Sequence, residues 1–105
     1  SGTRAGRIFA DMVDYYIGAY ATTSPYLGGC GLHDPLAVAV AADASLVDVL
    51  SINLKTDTTG PTRGRTIADE TRLSTPATAK VAVGVDSERF VREFVELLET
   101  LFSEL

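Results

Sequence analysis

Apolar residues near the start of the chain recur at steps of three and four. Ile8, Phe9, Met12, Val13, Tyr16, Ile17 and Tyr20 fall on one face of a helix running from about Arg4 to Tyr20. Thr22, Thr23, Ser24 and Pro25 stop that pattern, and Tyr26 to Leu32 reads as a glycine-rich loop. A second helix is expected directly afterwards. Asp34 suits its N-cap, because a short carboxylate accepts from the free amides of the first turn, and Pro35 suits the first helical position. Leu36 to Ala42 is rich in alanine and valine and carries no charge, so this helix is expected to be covered on every side. Asp43 to Ser45 ends it.

Three strand-like segments follow, Leu46–Leu54, Arg63–Arg72 and Lys80–Val85, the last with an alternation of period two. Thr58-Thr59-Gly60-Pro61 is a turn between the first two and predicts an antiparallel pair. A final helix runs from Ser87 to Leu105, with Asp86 or Ser87 as its cap and Glu88 in its first turn. Phe90, Phe94, Leu97, Leu98, Leu101 and Leu105 make its apolar face, which Val91, Val95 and Phe102 widen. The order of elements predicts the α/β class. So few strands, with one helix that seeks cover all round, describe a domain incomplete on its own. Residues 1–105 read as one segment of a single larger α/β domain.

Composition narrows what such a segment can do. At 105 residues and 46% apolar, the chain folds or belongs to something that folds. A net charge of −5, with lysines and arginines scattered rather than striped, argues against a nucleic-acid groove. The single cysteine, Cys30, allows no internal disulfide. No apolar run is long enough for a membrane span and no targeting pattern opens the chain, so a cytoplasmic location is expected. The first residue is Ser1 and the only methionine is Met12, which fits a processed or partial chain.

The chemistry concentrates in Gly28-Gly29-Cys30-Gly31-Leu32-His33-Asp34-Pro35. His33, the only histidine, can carry a proton near neutral pH or bind a metal; it can also be a loop histidine bonded to a backbone carbonyl. Asp34 is a candidate ligand for a hard cation as well as a cap, although calcium takes about 6–8 oxygens. Cys30 and His33 have a C-x-x-H spacing, but no second Cys or His exists to complete a zinc site. The glycines match neither dinucleotide nor phosphate-loop spacing. Asp57 and Asp69 fall near strand ends, where solvation accounts for them. Tyr15, Tyr16 and Tyr20 are core aromatics of the first helix or a stacking surface for a flat ligand.

Gly31-Leu32-His33-Asp34-Pro35-Leu36-Ala37-Val38-Ala39 resembles the histidine motif of the inosine-uridine-preferring nucleoside hydrolases. Asp43-Ala44-Ser45-Leu46 resembles the helix exit after that motif, and Thr62-Arg63-Gly64-Arg65-Thr66-Ile67-Ala68-Asp69 resembles the family's T-x-G-x-T-x-x-D strand. Lys80 to Asp86, followed by Glu88-Arg89-Phe90, is similar to its closing strand and helix. The blocks come in the family's order and cover the chain from Ile8 onward.

The resemblance implies the C-terminal portion of a mostly parallel sheet flanked by helices. It implies hydrolysis of the N-glycosidic bond of a ribonucleoside, with a calcium cofactor. His33 would assist the departing base, Asp34 would be a metal ligand, and Tyr20, with Tyr16 beside it, would contact the base. The family's aspartate cluster of the D-x-D-x-G-x-D-D kind has no counterpart here, so the partners implied are a missing N-terminal segment and the nucleoside. This segment alone is then expected to be inactive. Family members are commonly dimers or tetramers, so a homo-oligomer is implied. The alternative is a non-catalytic homologue that serves as an interaction or nucleoside-binding module.

Overall fold

Thr3 opens the first helix. Its hydroxyl accepts from the Gly6 amide at 3.2 Å, so the chain enters α1, Arg4–Thr23, with one free first-turn donor satisfied. The Ser24 amide closes the helix by donating to Tyr20 O at 2.7 Å. The computed structural model describes residues 2–104. Two further helices follow, α2 at His33–Ala42 and α3 at Ser87–Ser103. Between them lie four strands: β1 Val47–Ile52, β2 Leu54–Thr56, β3 Thr66–Ala68 and β4 Ala79–Val85. The fold is mixed α/β with two small antiparallel strand pairs; the class is the one the sequence implies, and the β1–β4 pair is one it does not foresee. Contacts divide it into two units, Ser1–Ala44 with Ser87–Leu105, and Ser45–Asp86.

The first unit is helical. Phe9 of α1 meets Phe102 of α3 with ring centroids 5.1 Å apart, and the Thr3 hydroxyl donates to Phe102 O at 2.7 Å. One threonine thus caps α1 and ties it to the end of α3. Arg89 binds Asp43 at 2.6 Å, just past the end of α2, and Glu93 at 2.7 Å, one turn along α3. The packed line of α3 is narrower than its apolar pattern predicts. Phe90 is buried and stacks on Phe94, whereas Leu97 and Leu101 are exposed, at 71% and 50%. Steps of four keep Phe90, Phe94, Leu98 and Phe102 on one side, and Leu97 and Leu101 fall off it. Leu105, assigned to the same face by the pattern, lies outside the described residues. The all-round cover expected for α2 is also missing: none of its residues is buried and Val38 is 71% exposed.

The second unit is a pair of two-stranded ladders. β1 pairs antiparallel with β4 from Val47↔Val85 to Ile52↔Ala79, with a bulge between Asp48 and Val49. β2 pairs antiparallel with β3, from Leu54↔Ala68 to Thr56↔Thr66. The first expected strand is therefore two, broken at Asn53, and only its second part makes the expected pair. Leu46 precedes it in a 3-10 turn and is 2% exposed. The second expected strand shrinks to Thr66–Ala68. Arg63 to Arg65 belong to the turn, where Gly64 takes a φ of 91° that a side chain would strain, and Glu70–Arg72 is a 3-10 turn. No helix among the described residues is long and apolar enough to cross a membrane.

Candidate functional site

The chain reaches α2 through a 3-10 turn, Pro25–Leu27, and then Gly28, whose φ of 60° lies in the left-handed region. α2 begins two residues earlier than expected, at His33 and not at Pro35. Leu32 takes the N-cap position without a side-chain bond, its φ of −111° and ψ of 51° breaking helical geometry just before His33. Asp34 is therefore not the N-cap. It sits in the first turn, exposed, where a negative charge favours the positive end of the helix. Pro35 still costs nothing, because the first bond of the helix runs from the Leu36 amide to Leu32 O at 3.0 Å. The donor that proline lacks is one that the helix leaves unpaired anyway.

His33 is exposed, and its ring folds back over the loop that precedes it. A Cβ on Gly31 would stand 2.5 Å from His33 Nε2. Among the described residues, neither the imidazole nor the Asp34 carboxylate takes a hydrogen bond, so the backbone-carbonyl partner considered for His33 is not found. Tyr16 and Tyr20 stand one turn apart on α1. The Tyr16 hydroxyl donates to Tyr20 Oη at 3.5 Å, and the rings meet edge to face with centroids 5.1 Å apart. Tyr16's pKa is pushed up from its ordinary value, first by this hydrogen bond and the charge of Tyr20, then by partial burial, then by the negative fields of Cys30 and Asp34. The charge of Asp34 is thus felt at Tyr16. Beside it runs an open apolar groove of about 640 Å³, lined in part by Met12, Tyr15, Tyr16, Cys30 and Leu32. His33, Asp34 and Tyr20 do not line it. Leu32, the N-cap of α2, joins the groove to the turn, with Cys30 just before it.

A calcium ion seeks about 6–8 oxygens, and one carboxylate supplies at most two. Among the described residues no group of three or more His, Cys, Asp or Glu is placed to hold a metal. The described donor set, Asp34 alone, does not make a calcium site.

The sequence reading missed a second polar centre, in the strand unit. Asn53 is 4% exposed. Its amide nitrogen donates to Arg72 O and Thr75 Oγ1, both at 3.0 Å. Its carbonyl oxygen accepts from Arg72 Nη2 at 3.0 Å, Thr78 N at 3.0 Å and Thr78 Oγ1 at 2.9 Å. Asp69 is not solvated at a strand end, as expected, but buried at 7% exposure. Its carboxylate accepts from the Thr71 hydroxyl at 2.7 Å and the Thr71 amide at 3.1 Å. Those bonds, the hydroxyl's first, hold its pKa below the ordinary carboxylate value, with Arg72 and Lys55 helping. Asp57 keeps its turn role and accepts from Thr62 Oγ1 at 2.7 Å. The Thr62-to-Asp69 motif therefore builds a turn and a buried polar knot. The only signal for Asn53 was an amide interrupting an apolar alternation.

A helix start that presents an exposed histidine and carboxylate can donate a proton and carry a cation ligand, and the α1 tyrosine pair can stack a flat ring. The family model described as inosine-uridine preferring nucleoside hydrolase matches residues 1–92, and the chain belongs to that family. It is 31% identical over 102 residues to the inosine-uridine preferring nucleoside hydrolase of Crithidia fasciculata, covering 94% of this chain and 32% of that protein. It is 58% identical to the purine-preferring ribonucleoside hydrolase from Gardnerella vaginalis, whose structure it matches with a TM-score of 0.93. That match covers 98% of this chain and 33% of the other. The chain thus spans about a third of the length of these relatives.

Proposed function

We propose that this chain is the C-terminal, leaving-group part of an enzyme that hydrolyses ribonucleosides to ribose and free base. The carrying observation is the exposed His33-Asp34 helix start in a chain 58% identical to a ribonucleoside hydrolase. In the reaction the bond from ribose C1′ to the base nitrogen breaks and a water oxygen bonds to C1′. His33 supplies a proton to the departing base, which relieves the negative charge developing on it. Tyr20 and Tyr16 hold the flat base. Asp34 contributes one carboxylate to a calcium shell whose other oxygens, and the base that activates water, come from residues outside this chain. The 105 residues alone are inactive on this reading, and the working enzyme is a homo-oligomer.

The test uses the complete protein, with the segments its relatives have and this chain lacks, on a broad panel of purine and pyrimidine ribonucleosides. Base release that stops on chelation and returns with calcium is expected. A complete protein silent on the whole panel overturns the reading.

A second reading has its own observation. Met12, Tyr15, Val38 and Leu97, on three helices, are 64%, 81%, 71% and 71% exposed. Without hydrolysis, that surface makes the chain an association or nucleoside-binding module. Sedimentation of the 105-residue chain tests this reading: a clean monomer at high concentration excludes association.

A further inference from the structure

Three glycines precede His33 in the loop, and each meets a different physical condition. Gly28 has a positive φ of 60° and open space where a side chain would go. Gly29 has open space and no positive φ. Gly31 also has no positive φ, so its backbone accepts an alanine. Its space does not. A Cβ there would lie 2.5 Å from His33 Nε2 and 3.1 Å from both Cδ2 and Cε1. Every atom in that conflict belongs to the imidazole, and real Cβ atoms essentially never come closer than 3.0 Å. An alanine at this position keeps the fold and evicts the ring.

We propose that Gly31 is the positioning residue for His33. The missing side chain leaves a seat on the loop backbone, and the imidazole lies in it with its Nε2 edge against Gly31. His33 has an exposed position and no hydrogen-bond partner among the described residues, so contact with this seat is what selects its rotamer. A proton donor works only where its reach matches the departing atom, and a shift of about 1 Å can cost on the order of 100-fold. The proposal rests on the leaving-group role for His33 given above and adds what aims it. It also gives the G-x-H spacing of Gly31-Leu32-His33 a steric cause.

Two measurements test it, one on the ring and one on the reaction. In NMR spectra of the complete protein, the His33 ring protons are the imidazole signals that vanish in His33→Gln. Wild type should show a cross-relaxation peak between those protons and Gly31 Hα. Gly29→Ala should keep the ring's signals in place, and Gly31→Ala should move them. In the complete protein, Gly31→Ala should lower kcat on a purine ribonucleoside by about 100-fold at little change in KM. It should spare a nitrophenyl riboside, whose leaving group departs without a proton, and Gly29→Ala should leave both substrates unaffected. A wild-type ring with no contact to Gly31, or equal effects of Gly31→Ala on both substrates, overturns the proposal. A wild type inactive on nucleosides but with the ring contact intact overturns the hydrolase reading instead, so the two failures are told apart.

Discussion

Two polar centres in this chain use their groups in opposite ways. In the strand unit, Asn53 and Asp69 are buried, and their side-chain oxygens and nitrogens are taken up by Arg72, Thr71, Thr75 and Thr78. In the helical unit, His33 and Asp34 are exposed at a helix start, and no hydrogen bond among the described residues engages either side chain. A buried polar group left unpaired costs stability, so it is satisfied from within. An exposed one costs nothing to leave open. The knot therefore shapes the protein, and the turn is free to act on something else.

The comparison breaks most visibly at Asp34. Asp34→Ala should weaken calcium binding by the complete protein by at least tenfold, since even outer-shell partners of a metal cost about 10–100-fold. Stability should change little, because a charge at an exposed helix start is worth only about 0.3–1 kcal/mol. Isothermal titration and urea melts read the two effects separately; unchanged cation affinity rejects the ligand role.

Asn53→Ala should do the reverse. It removes the side-chain bonds to Arg72, Thr75 and Thr78, each worth about 0.5–1.5 kcal/mol net. A lowered urea midpoint is expected; an unchanged one would show that the knot carries no stability.

Acid sharpens the contrast through Asp69. Its folded pKa is lowered, so the unfolded chain takes up its proton first as pH falls. Its contribution is complete above the ordinary carboxylate value and is lost as pH drops through the lowered one. Asp69→Asn should flatten that part of the stability profile, measured by urea melts from neutral to acid pH.

At the small end stand the tyrosines and the surface pair. Tyr20→Phe removes the largest cause of Tyr16's raised pKa, so Tyr16 should ionise at lower pH, followed by NMR of ring-labelled tyrosine. Lys55 and Glu70 pair in the open, and Lys55→Met should leave the urea midpoint nearly unchanged.

The parts readable in the sequence are those with local causes. α1 and α3 follow from apolar residues at three- and four-residue steps, and β4 from its alternation. The His33-Asp34-Pro35 turn is legible as a helix start, though placed two residues late, because proline and a short carboxylate both suit a first turn. The split strand was not. Asn53 ends β1 because residues 69–78 fold back to meet its side chain, and no window around position 53 contains them. The apolar width of α3 misled for the same reason: which of Leu97 and Leu98 packs depends on where α1 crosses it. At the site, the residue types were legible, but the ring lying over Gly31 was not, because it depends on the loop's backbone path.

The central claim is that the exposed turn works on a substrate and not on the fold. The direct measurement is kcat for base release from a purine ribonucleoside by the complete protein, wild type against His33→Ala, with the urea midpoint of each recorded. The account predicts a loss of about 100-fold or more, the range for a positioned proton donor, at an unchanged midpoint. An equal kcat in the two proteins would contradict it.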